Sequence, residues 1–423
     1  MGLLRLAAIG AVDDGKSTLI GRLLHDSAQL PEDQLEAIRR MAEARGQRGL
    51  DLSLATDGLR EERERGITID VAYRYARSGP RKVVIADCPG HFEYTKNMAT
   101  GASTADAALV LVDATRGLRQ QTRRHLAIAA LFGIEHFVLA VNKMDLLDWD
   151  GEAFSRLSDE VSALLQRLAA RQMAVVPVSA LHGDNVVSRG GAAWYSGPTV
   201  ADALARVPVG TWAASPGGRA RLPVQLVLEG EDGPAYGGML AGGSLRRGDR
   251  VVVLPRGVTS LIAHLETLDG ARDEAHPAQS VTVRLAQAMD LARGDVIAHA
   301  SHPPQVLAEA QVTICWFAPQ ALRAGARLLM KQATSRTAVL VSGVDSCLDL
   351  NRVELVAADQ IAANGIGIAQ LQLDRPAVAD PYRHNRMTGA FVLVQPDSQR
   401  TVAAGMFGLP AIADRAGVNP FQS

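Results

Sequence analysis

A glycine-rich octapeptide near the N-terminus constrains the fold of this chain more than any other feature. It runs from Gly10 to Ser17, fits the pattern GxxxxGK[ST], follows the apolar run 3–9 and precedes the amphipathic stretch 17–24. Such a loop joins a strand to a helix, and its backbone N–H groups and the helix N-terminus bind phosphates. We therefore predict an α/β domain that binds a nucleoside triphosphate, with Lys16 on the β- and γ-phosphates and the Ser17 hydroxyl on Mg²⁺.

A second motif indicates which base is bound. The tetrapeptide NKMD, residues 142–145, follows the apolar run 136–141. The Asp145 carboxylate can accept hydrogen bonds from N1–H and the 2-amino group of guanine, neither of which adenine offers. Lys143 would lie over the ring face and Asn142 would hold the loop. The tripeptide 179–181 ends the next apolar run, where a backbone N–H can meet guanine O6.

Two further segments fit the sensing and hydrolysis of a γ-phosphate. The string DCPGH, residues 87–91, follows the apolar run 82–86. Asp87 would hold Mg²⁺ through water, the Gly90 N–H would sense the γ-phosphate, and His91 would orient the attacking water. Thr68 lies between this string and the phosphate loop, and we predict that it is the second protein ligand of Mg²⁺. The sequence shows no clear arginine finger, so we expect slow intrinsic hydrolysis that a partner accelerates.

The predicted catalytic residues are His91, Lys16 and Thr68, and the predicted Mg²⁺ ligands are Ser17, Thr68 and Asp87. The predicted GTP-binding residues are Gly10, Ala11, Val12, Asp13, Asp14, Gly15, Lys16, Ser17, Thr18, Asp87, Cys88, Pro89, Gly90, His91, Asn142, Lys143, Met144, Asp145, Ser179, Ala180 and Leu181.

The pattern of apolar runs changes along the chain. Up to about residue 205, continuous apolar strands alternate with helical patterns, which favours a parallel sheet covered on both faces. After a glycine- and proline-rich stretch, short segments rich in Val, Ile and Leu are typical of antiparallel barrels. We predict a GTP-binding domain (1–207), a linker (208–221), β-barrels at 222–302 and 303–412, and a tail (413–423).

Charge and cysteine usage exclude several classes of protein. The 44 basic and 45 acidic residues leave a net charge of -1, which gives no electrostatic reason to expect a nucleic-acid partner. No apolar run is long enough to span a membrane. The three cysteines are far apart and form no CxxC pair, so we expect neither a zinc ribbon nor a disulfide framework, and a cytoplasmic location.

Taken together, these motifs resemble those of the translation-factor GTPase superfamily. Finer strings are similar to the large, GTPase subunits of bacterial sulfate adenylyltransferases: VDDGKST (12–18), TIDVAYRY (68–75), YTKNMATGAS (94–103), QTRRH (121–125) and NRMTGAF (385–391). The resemblance implies a hetero-oligomer in which a separate small subunit makes adenosine 5′-phosphosulfate and diphosphate from ATP and sulfate, driven by GTP hydrolysis on the large subunit. Some relatives carry a fused adenylylsulfate kinase. This sequence has no second GxxxxGK[ST], so we expect that activity to be absent.

Two alternatives share the GTP motifs. An elongation factor that delivers aminoacyl-tRNA is disfavoured by Asp14, by the string at 70–75 and by the near-neutral charge. A GTP-binding scaffold without catalysis is disfavoured by the presence of Lys16, Thr68 and His91.

Overall fold

The computed structural model describes residues 2–44, 50, 52–55, 68–78, 81–208, 219–230 and 233–408. The charged run 60–65, most of the predicted linker and the predicted tail lie outside these residues. The chain divides into two compact units, Met1–Gly210 with Asp349–Glu354, and Thr211–Leu348 with Leu355–Ser423.

The first unit is built on a six-stranded sheet. Its strands are β1 (Leu4–Ile9), β2 (Ala72–Ser78), β3 (Arg81–Asp87), β4 (Ala107–Asp113), β5 (His136–Asn142) and β6 (Arg171–Pro177), in the order β2-β3-β1-β4-β5-β6. Only β2, at the edge, is antiparallel to its neighbour. The helices are α1 (Lys16–Asp26), α2 (Glu32–Ala44), α3 (Thr95–Ser103), α4 (Gln120–Leu131), α5 (Gly151–Arg167) and α6 (Val200–Arg206), with short 3-10 turns at Leu52–Ala55, Phe92–Tyr94 and Met144–Leu147.

The central strands of this sheet are buried along their whole length because helices cover both faces. Every residue of β4 is buried, and so is every residue of β5 except the first. Strand β1 lies between β3 on one side and β4 on the other, so the strand order reverses next to β1. Ligands of open α/β sheets bind beyond the carboxyl ends of the strands at such a switch point. The fold therefore directs attention to the loops after β1, β3, β4 and β5.

The second unit begins with an antiparallel barrel. Its strands are β7 (Arg221–Pro223), β8 (Leu226–Leu228), β9 (Ala235–Met239), β10 (Leu245–Arg246), β11 (Arg250–Leu254), β12 (Val258–Thr267), β13 (Gly270–Ala271), β14 (Glu274–Ala275), β15 (Ser280–Leu285) and β16 (Val296–His299). The main sheet runs β7-β16-β11-β12-β15-β9-β8. Arg221 and Ala241 exchange two backbone hydrogen bonds of 2.8 Å, which brings β7 against the chain just beyond β9.

One glycine of this first barrel allows two strands to pack closely. A Cβ atom on Gly238 would lie 2.3 Å from the Pro223 carbonyl oxygen. Backbones can approach this closely only where a side chain is absent. The crossing of β7 and β9 therefore requires a glycine at position 238.

A second antiparallel barrel follows. Its strands are β17 (Gln305–Trp316), β18 (Leu322–Arg323), β19 (Arg327–Gln332), β20 (Ser335–Asp349), β21 (Glu354–Ala357), β22 (Gln360–Ile361), β23 (Ile366–Ala379), β24 (Ala390–Val394) and β25 (Thr401–Phe407), and a short helix α7 (Arg386–Gly389) precedes β24. The order β19-β24-β25-β17-β23-β20 closes on itself because β20 also pairs with β19. The predicted architecture, an α/β phosphate-loop domain followed by two antiparallel barrels, is confirmed.

The two barrels are joined by a buried ion pair. The Arg221 guanidinium donates to both carboxylate oxygens of Asp380 at 2.9 Å, and the side chains are 1% and 5% exposed. The Thr388 hydroxyl donates to the same carboxylate at 2.7 Å. Around the pair, Val252, Leu254, Val296, Ala298 and Val378 form a small apolar cluster drawn from both barrels.

Replacing Arg221 with methionine is expected to lower the free energy of unfolding of the second unit by about 3–5 kcal/mol, because Asp380 is left charged and buried. Urea unfolding followed by circular dichroism measures this change. The double variant Arg221→Met/Asp380→Leu should regain most of the loss. Arg256→Met removes an ion pair with Asp295 whose arginine is 48% exposed, and should cost no more than about 1 kcal/mol. Equal losses in Arg221→Met and Arg256→Met would contradict a structural role for the buried pair.

Two simpler expectations concern membranes and cysteines. In the part of the chain that the structure describes, no helix combines the length and the apolarity needed to cross a bilayer. The three cysteines are free thiols, of which Cys88 and Cys315 are buried.

Candidate nucleotide-binding site

The predicted phosphate loop lies between β1 and α1, at the carboxyl edge of the sheet. Asp14, 1% exposed, turns its side chain inward and accepts a hydrogen bond from the Ala11 N–H at 2.7 Å. Burial raises the pKa of Asp14, and the Ala11 hydrogen bond and Lys16 oppose that rise. Arg119, which precedes α4, donates to the Val12 carbonyl at 3.2 Å. The phosphate loop is therefore held by an internal hydrogen bond and by a hydrogen bond from the residue that precedes α4.

Lys16 places its ammonium group inside this loop. Its Nζ donates to the carbonyl oxygens of Gly10 (3.2 Å) and Ala11 (2.8 Å). Burial lowers the pKa of Lys16, while Asp87 and Asp14 act in the opposite direction. A cation fixed among carbonyl dipoles beside a helix N-terminus suits the binding of a polyanion.

Gly90 marks the position where the loop after β3 meets the phosphate loop. A Cβ atom on Gly90 would lie 2.6 Å from Lys16 Nζ and 2.9 Å from the Val12 nitrogen. The backbone at Gly90 thus lies against the group predicted to bind the terminal phosphates. This contact fits the predicted role of its N–H as a γ-phosphate sensor.

The oxygen donors predicted to hold Mg²⁺ fit that ion chemically. Mg²⁺ prefers hydroxyl and carboxylate oxygens and keeps several waters. Asp87 ends β3 and is 1% exposed, and Ser17 is partly buried at the start of α1. Thr68 is partly buried, and Asn97 donates to the carbonyl of the adjacent Ile69 at 2.9 Å. Among the described residues no group of three His, Cys, Asp or Glu side chains is arranged to hold a metal. The proposed set of two hydroxyls and one carboxylate differs in kind from such a cluster.

His91 begins the 3-10 turn Phe92–Tyr94, with its side chain 42% exposed. Its Nδ1 accepts a hydrogen bond from the Glu93 N–H at 3.3 Å. This bond fixes one ring nitrogen, so the Nε2 edge is the part of the ring that remains for a water molecule. The ring is therefore oriented by its own turn.

A network under the site connects the His91 turn with the phosphate loop. The Arg124 guanidinium lies 4.8 Å from the centre of the Phe92 ring and donates to Gln121 at 2.9 Å. Gln121 contacts His125 at 2.8 Å. Burial, with Lys16 and Arg124 nearby, lowers the pKa of His125 to about 3, so this imidazole is neutral at working pH.

Asn142 joins the phosphate loop to the predicted base-binding loop. Its Nδ2 donates to the Asp14 carbonyl at 2.8 Å, and its Oδ1 accepts from the Ala180 N–H at 2.9 Å. The buried Asn142 amide thus contacts two residues that lie 128 and 38 positions from it in the sequence. The prediction that Asn142 would hold a loop understates this arrangement, because it holds two.

Lys143 is held in place by a residue that sequence reasoning missed. Its Nζ donates to Asp113 Oδ2 and to the Asp13 carbonyl, both at 2.7 Å. Burial opposes ionisation of Asp113, but hydrogen bonds from Lys143 and Thr115 hold its pKa below the usual value. Asp113 ends β4, and the rule that parallel strand ends share one edge could have found it.

The predicted guanine-reading group lies beside this pair. The Asp145 carboxylate is 20% exposed, and His182 Nε2 lies 3.8 Å from it. Ser179 and Ala180 are buried, whereas the Leu181 side chain is 60% exposed. Since the Ala180 N–H already donates to Asn142, we expect the contact with guanine O6 to fall to the next N–H, that of Leu181.

The remaining predicted residues are buried or partly buried in the loops around the site. Cys88 and Met144 are fully buried, and burial raises the pKa of the Cys88 thiol. Pro89 is buried, while Val12 and Thr18 are partly buried. The structure therefore brings the strings at 10–18, 87–91, 142–145 and 179–181 together at one edge of the sheet.

Comparison with known families agrees with this geometry. Residues 2–229 match the model of the elongation factor Tu GTP binding domain, and residues 309–407 match that of the GTP-eEF1A C-terminal domain-like family. The first unit is thus a GTP-binding domain.

Curated relatives match nearly the whole chain. It is 46% identical over 416 residues to the bifunctional enzyme CysN/CysC of Mycobacterium tuberculosis (strain ATCC 25618 / H37Rv), covering 96% of this chain and 67% of that protein. It is 44% identical over 417 residues to sulfate adenylyltransferase subunit 1 of Aeromonas hydrophila, covering 96% and 86%. It is 43% identical over 435 residues to the protein of the same name from Aeromonas salmonicida, covering 99% and 90%.

Proposed function

We propose a specific role for this chain on the premise that it belongs to the sulfate adenylyltransferase subunit 1 family of GTPases. GTP hydrolysis on the first unit drives a smaller partner subunit, which forms adenosine 5′-phosphosulfate and diphosphate from ATP and sulfate. The chain works inside the cell in sulfate assimilation.

One observation carries the proposal. The tetrapeptide 142–145 predicted to read guanine, the predicted phosphate loop and Gly90 lie together at one sheet edge, in a chain that aligns with sulfate adenylyltransferase subunits over 96–99% of its length. The alignment favours sulfate activation over delivery of aminoacyl-tRNA, although both would use the same GTP chemistry.

The residues of the first unit divide the work of hydrolysis. Lys16 and the phosphate-loop amides bind the phosphates and offset their charge. Ser17, Thr68 and Asp87 would hold Mg²⁺, which supplies neutralisation of charge on the β- and γ-phosphates. His91, oriented by the Glu93 N–H, positions a water molecule for attack on the γ-phosphorus. The Asp145 carboxylate selects guanine.

Coupling to the partner is a population shift. The γ-phosphate favours one arrangement of the loops that contain Thr68 and Gly90, and its loss releases them. A partner that binds one arrangement better than the other is biased by the same free energy. In this way the favourable hydrolysis of GTP offsets the unfavourable formation of a phosphosulfate anhydride.

Adding the organism's small adenylyltransferase subunit, with ATP, Mg²⁺ and sulfate, is expected to stimulate GTP hydrolysis by this chain at least tenfold, with diphosphate release rising in parallel. Phosphate and diphosphate are measured separately, with and without each subunit. Lys16→Met should abolish both, because the phosphates lose their buried cation, whereas Lys331→Met, at an exposed lysine of the second barrel, should change neither.

A lack of stimulation by the small subunit would contradict the proposal. If GTP is hydrolysed but neither stimulation nor physical association with the small subunit occurs, the assignment to sulfate activation is wrong. Binding of aminoacyl-tRNA would then be the next measurement.

A further inference from the structure

Arg22, on the second turn of α1, contacts the loop predicted to meet guanine O6. Its Nε donates to the Ala180 carbonyl at 3.3 Å, and its terminal nitrogen donates to the Leu181 carbonyl. The two acceptors are 158 and 159 residues away in sequence. A single guanidinium fork therefore binds two successive carbonyl groups of this loop, as its planar geometry allows.

The arginine itself is held by its own helix. Asp26, one turn further along α1, lies 3.5 Å from the Arg22 guanidinium, and His25 Nδ1 lies 2.8 Å from the same Asp26 oxygen. The loop packs directly on this pair, since a Cβ atom on Gly183 would lie 3.0 Å from Asp26 and 3.2 Å from Arg22. The Arg22 side chain is only 18% exposed.

Because the peptide group is planar, these contacts fix the direction of the Leu181 N–H. A trans peptide is planar, and its C=O and N–H point in opposite directions. The Ala180 carbonyl and the Leu181 N–H belong to one such peptide. Because Arg22 holds the carbonyl toward α1, the Leu181 N–H is directed away from α1. On the other flank, the Ala180 N–H is fixed by Asn142.

We propose that Arg22 is a specificity-determining positioning residue, which aims the Leu181 N–H at O6 of the bound guanine through its bonds to the Ala180 and Leu181 carbonyls. This inference rests on the proposed function in that it takes guanine as the base. It adds a residue outside the four nucleotide motifs.

The test pairs a variant with an altered base. In 6-thio-GTP, sulfur replaces O6 and is a poor acceptor, while N1–H and the 2-amino group remain. In ITP, O6 and N1–H remain and the 2-amino group is absent. The full chain is titrated with each nucleotide in Mg²⁺, as wild type, Arg22→Met, Arg22→Lys and Arg39→Met, the last at an exposed arginine of α2.

Wild type and Arg39→Met should prefer GTP over 6-thio-GTP by about tenfold, the equivalent of one hydrogen bond. In Arg22→Met we expect this preference to fall to about twofold or less, with the preference for GTP over ITP unchanged. Arg22→Lys should recover part of the preference, because an ammonium can still reach one carbonyl. The unfolding temperature of each variant without nucleotide is measured as a check of folding.

Two results separate the possible failures. If Arg22→Met weakens GTP, 6-thio-GTP and ITP by the same factor, Arg22 only stabilises the domain and the proposal is overturned. ATP is titrated in parallel, and if wild type shows no preference for GTP over ATP, the assumption of a guanine site fails before Arg22 is considered. Should Arg22→Met not fold, the Arg22→Lys ratios decide, since an unchanged GTP preference over 6-thio-GTP also overturns the proposal.

Discussion

Replacement of His91 with alanine is expected to slow GTP hydrolysis by about 10²–10⁴-fold and to leave the affinity for GTP within about twofold of wild type. A positioned side chain that orients and deprotonates water contributes a rate factor of this size. The His91 side chain is 42% exposed and its described polar contacts are with Glu93, so we expect its removal to leave the phosphate loop undisturbed. Single-turnover hydrolysis and equilibrium binding of a fluorescent GTP analogue measure the two quantities.

Two further variants sharpen this test. His91→Gln keeps a hydrogen-bond acceptor and should retain more activity than His91→Ala. His302→Ala removes an exposed histidine of the second unit and should change nothing. A parallel loss of binding and hydrolysis in His91→Ala would show that the residue supports the nucleotide and does not orient water.

Replacement of Asp145 with asparagine is expected to lower the affinity for GTP by about 10²–10⁴-fold. The carboxylate would lose two charge-assisted hydrogen bonds to guanine, each worth about 1.5–3 kcal/mol. Xanthosine triphosphate carries a 2-oxo group, to which the asparagine amide can donate, so its affinity should rise. Competition binding with GTP, ATP and xanthosine triphosphate measures the preference.

Asp148→Asn provides a matched control, since Asp148 is an exposed carboxylate at the end of the same 3-10 turn. Its left-handed backbone, φ 47°, is one that asparagine also adopts. GTP affinity should be unchanged there. If Asp145→Asn left GTP affinity unaltered as well, the base would be read elsewhere in the loop.

The core of the first unit could be predicted because its parallel strands are buried on both faces. The apolar run at 3–9 contains β1, Leu4–Ile9, and the run at 136–141 lies within β5, His136–Asn142. Strand β2 was not predicted as a strand, because at the sheet edge it exposes Tyr73 and Tyr75 and lacks a continuous apolar run.

The barrels were predicted as a class, with less accurate strands. The apolar stretch at the start of the predicted first barrel contains two strands, Arg221–Pro223 and Leu226–Leu228, that pair with different neighbours. At the start of the predicted second barrel, the apolar residues form only the end of a twelve-residue strand, Gln305–Trp316, whose first half is largely exposed. Burial in these barrels alternates, so an apolar run marks only the part of a strand that faces the core.

The site shows the same division between local and tertiary information. Lys16, Asp87 and Asp145 could be predicted from spacing because phosphate and base chemistry requires particular residue types at short range. The contacts of Asp113 and Arg22 join residues 30 and more than 150 positions apart. No local pattern encodes such pairs, and only the packing of the sheet creates them.

The two hydrogen bonds of the Asn142 side-chain amide have a consequence for the cooperativity of ligand binding. Its acceptor, the Asp14 carbonyl, lies in the loop predicted to bind the triphosphate, and its donor, the Ala180 N–H, lies in the loop predicted to bind the base. When a ligand orders one of these loops, the Asn142 amide is fixed as well. The other loop then loses less conformational entropy when it binds its part of the ligand. We therefore expect guanosine and a free polyphosphate to bind this domain weakly as separate fragments. The binding free energy of intact GTP should be considerably more favourable than the sum of the two fragments' binding free energies. We therefore expect the chain to respond to intact GTP and not to guanosine or free polyphosphate in the cell.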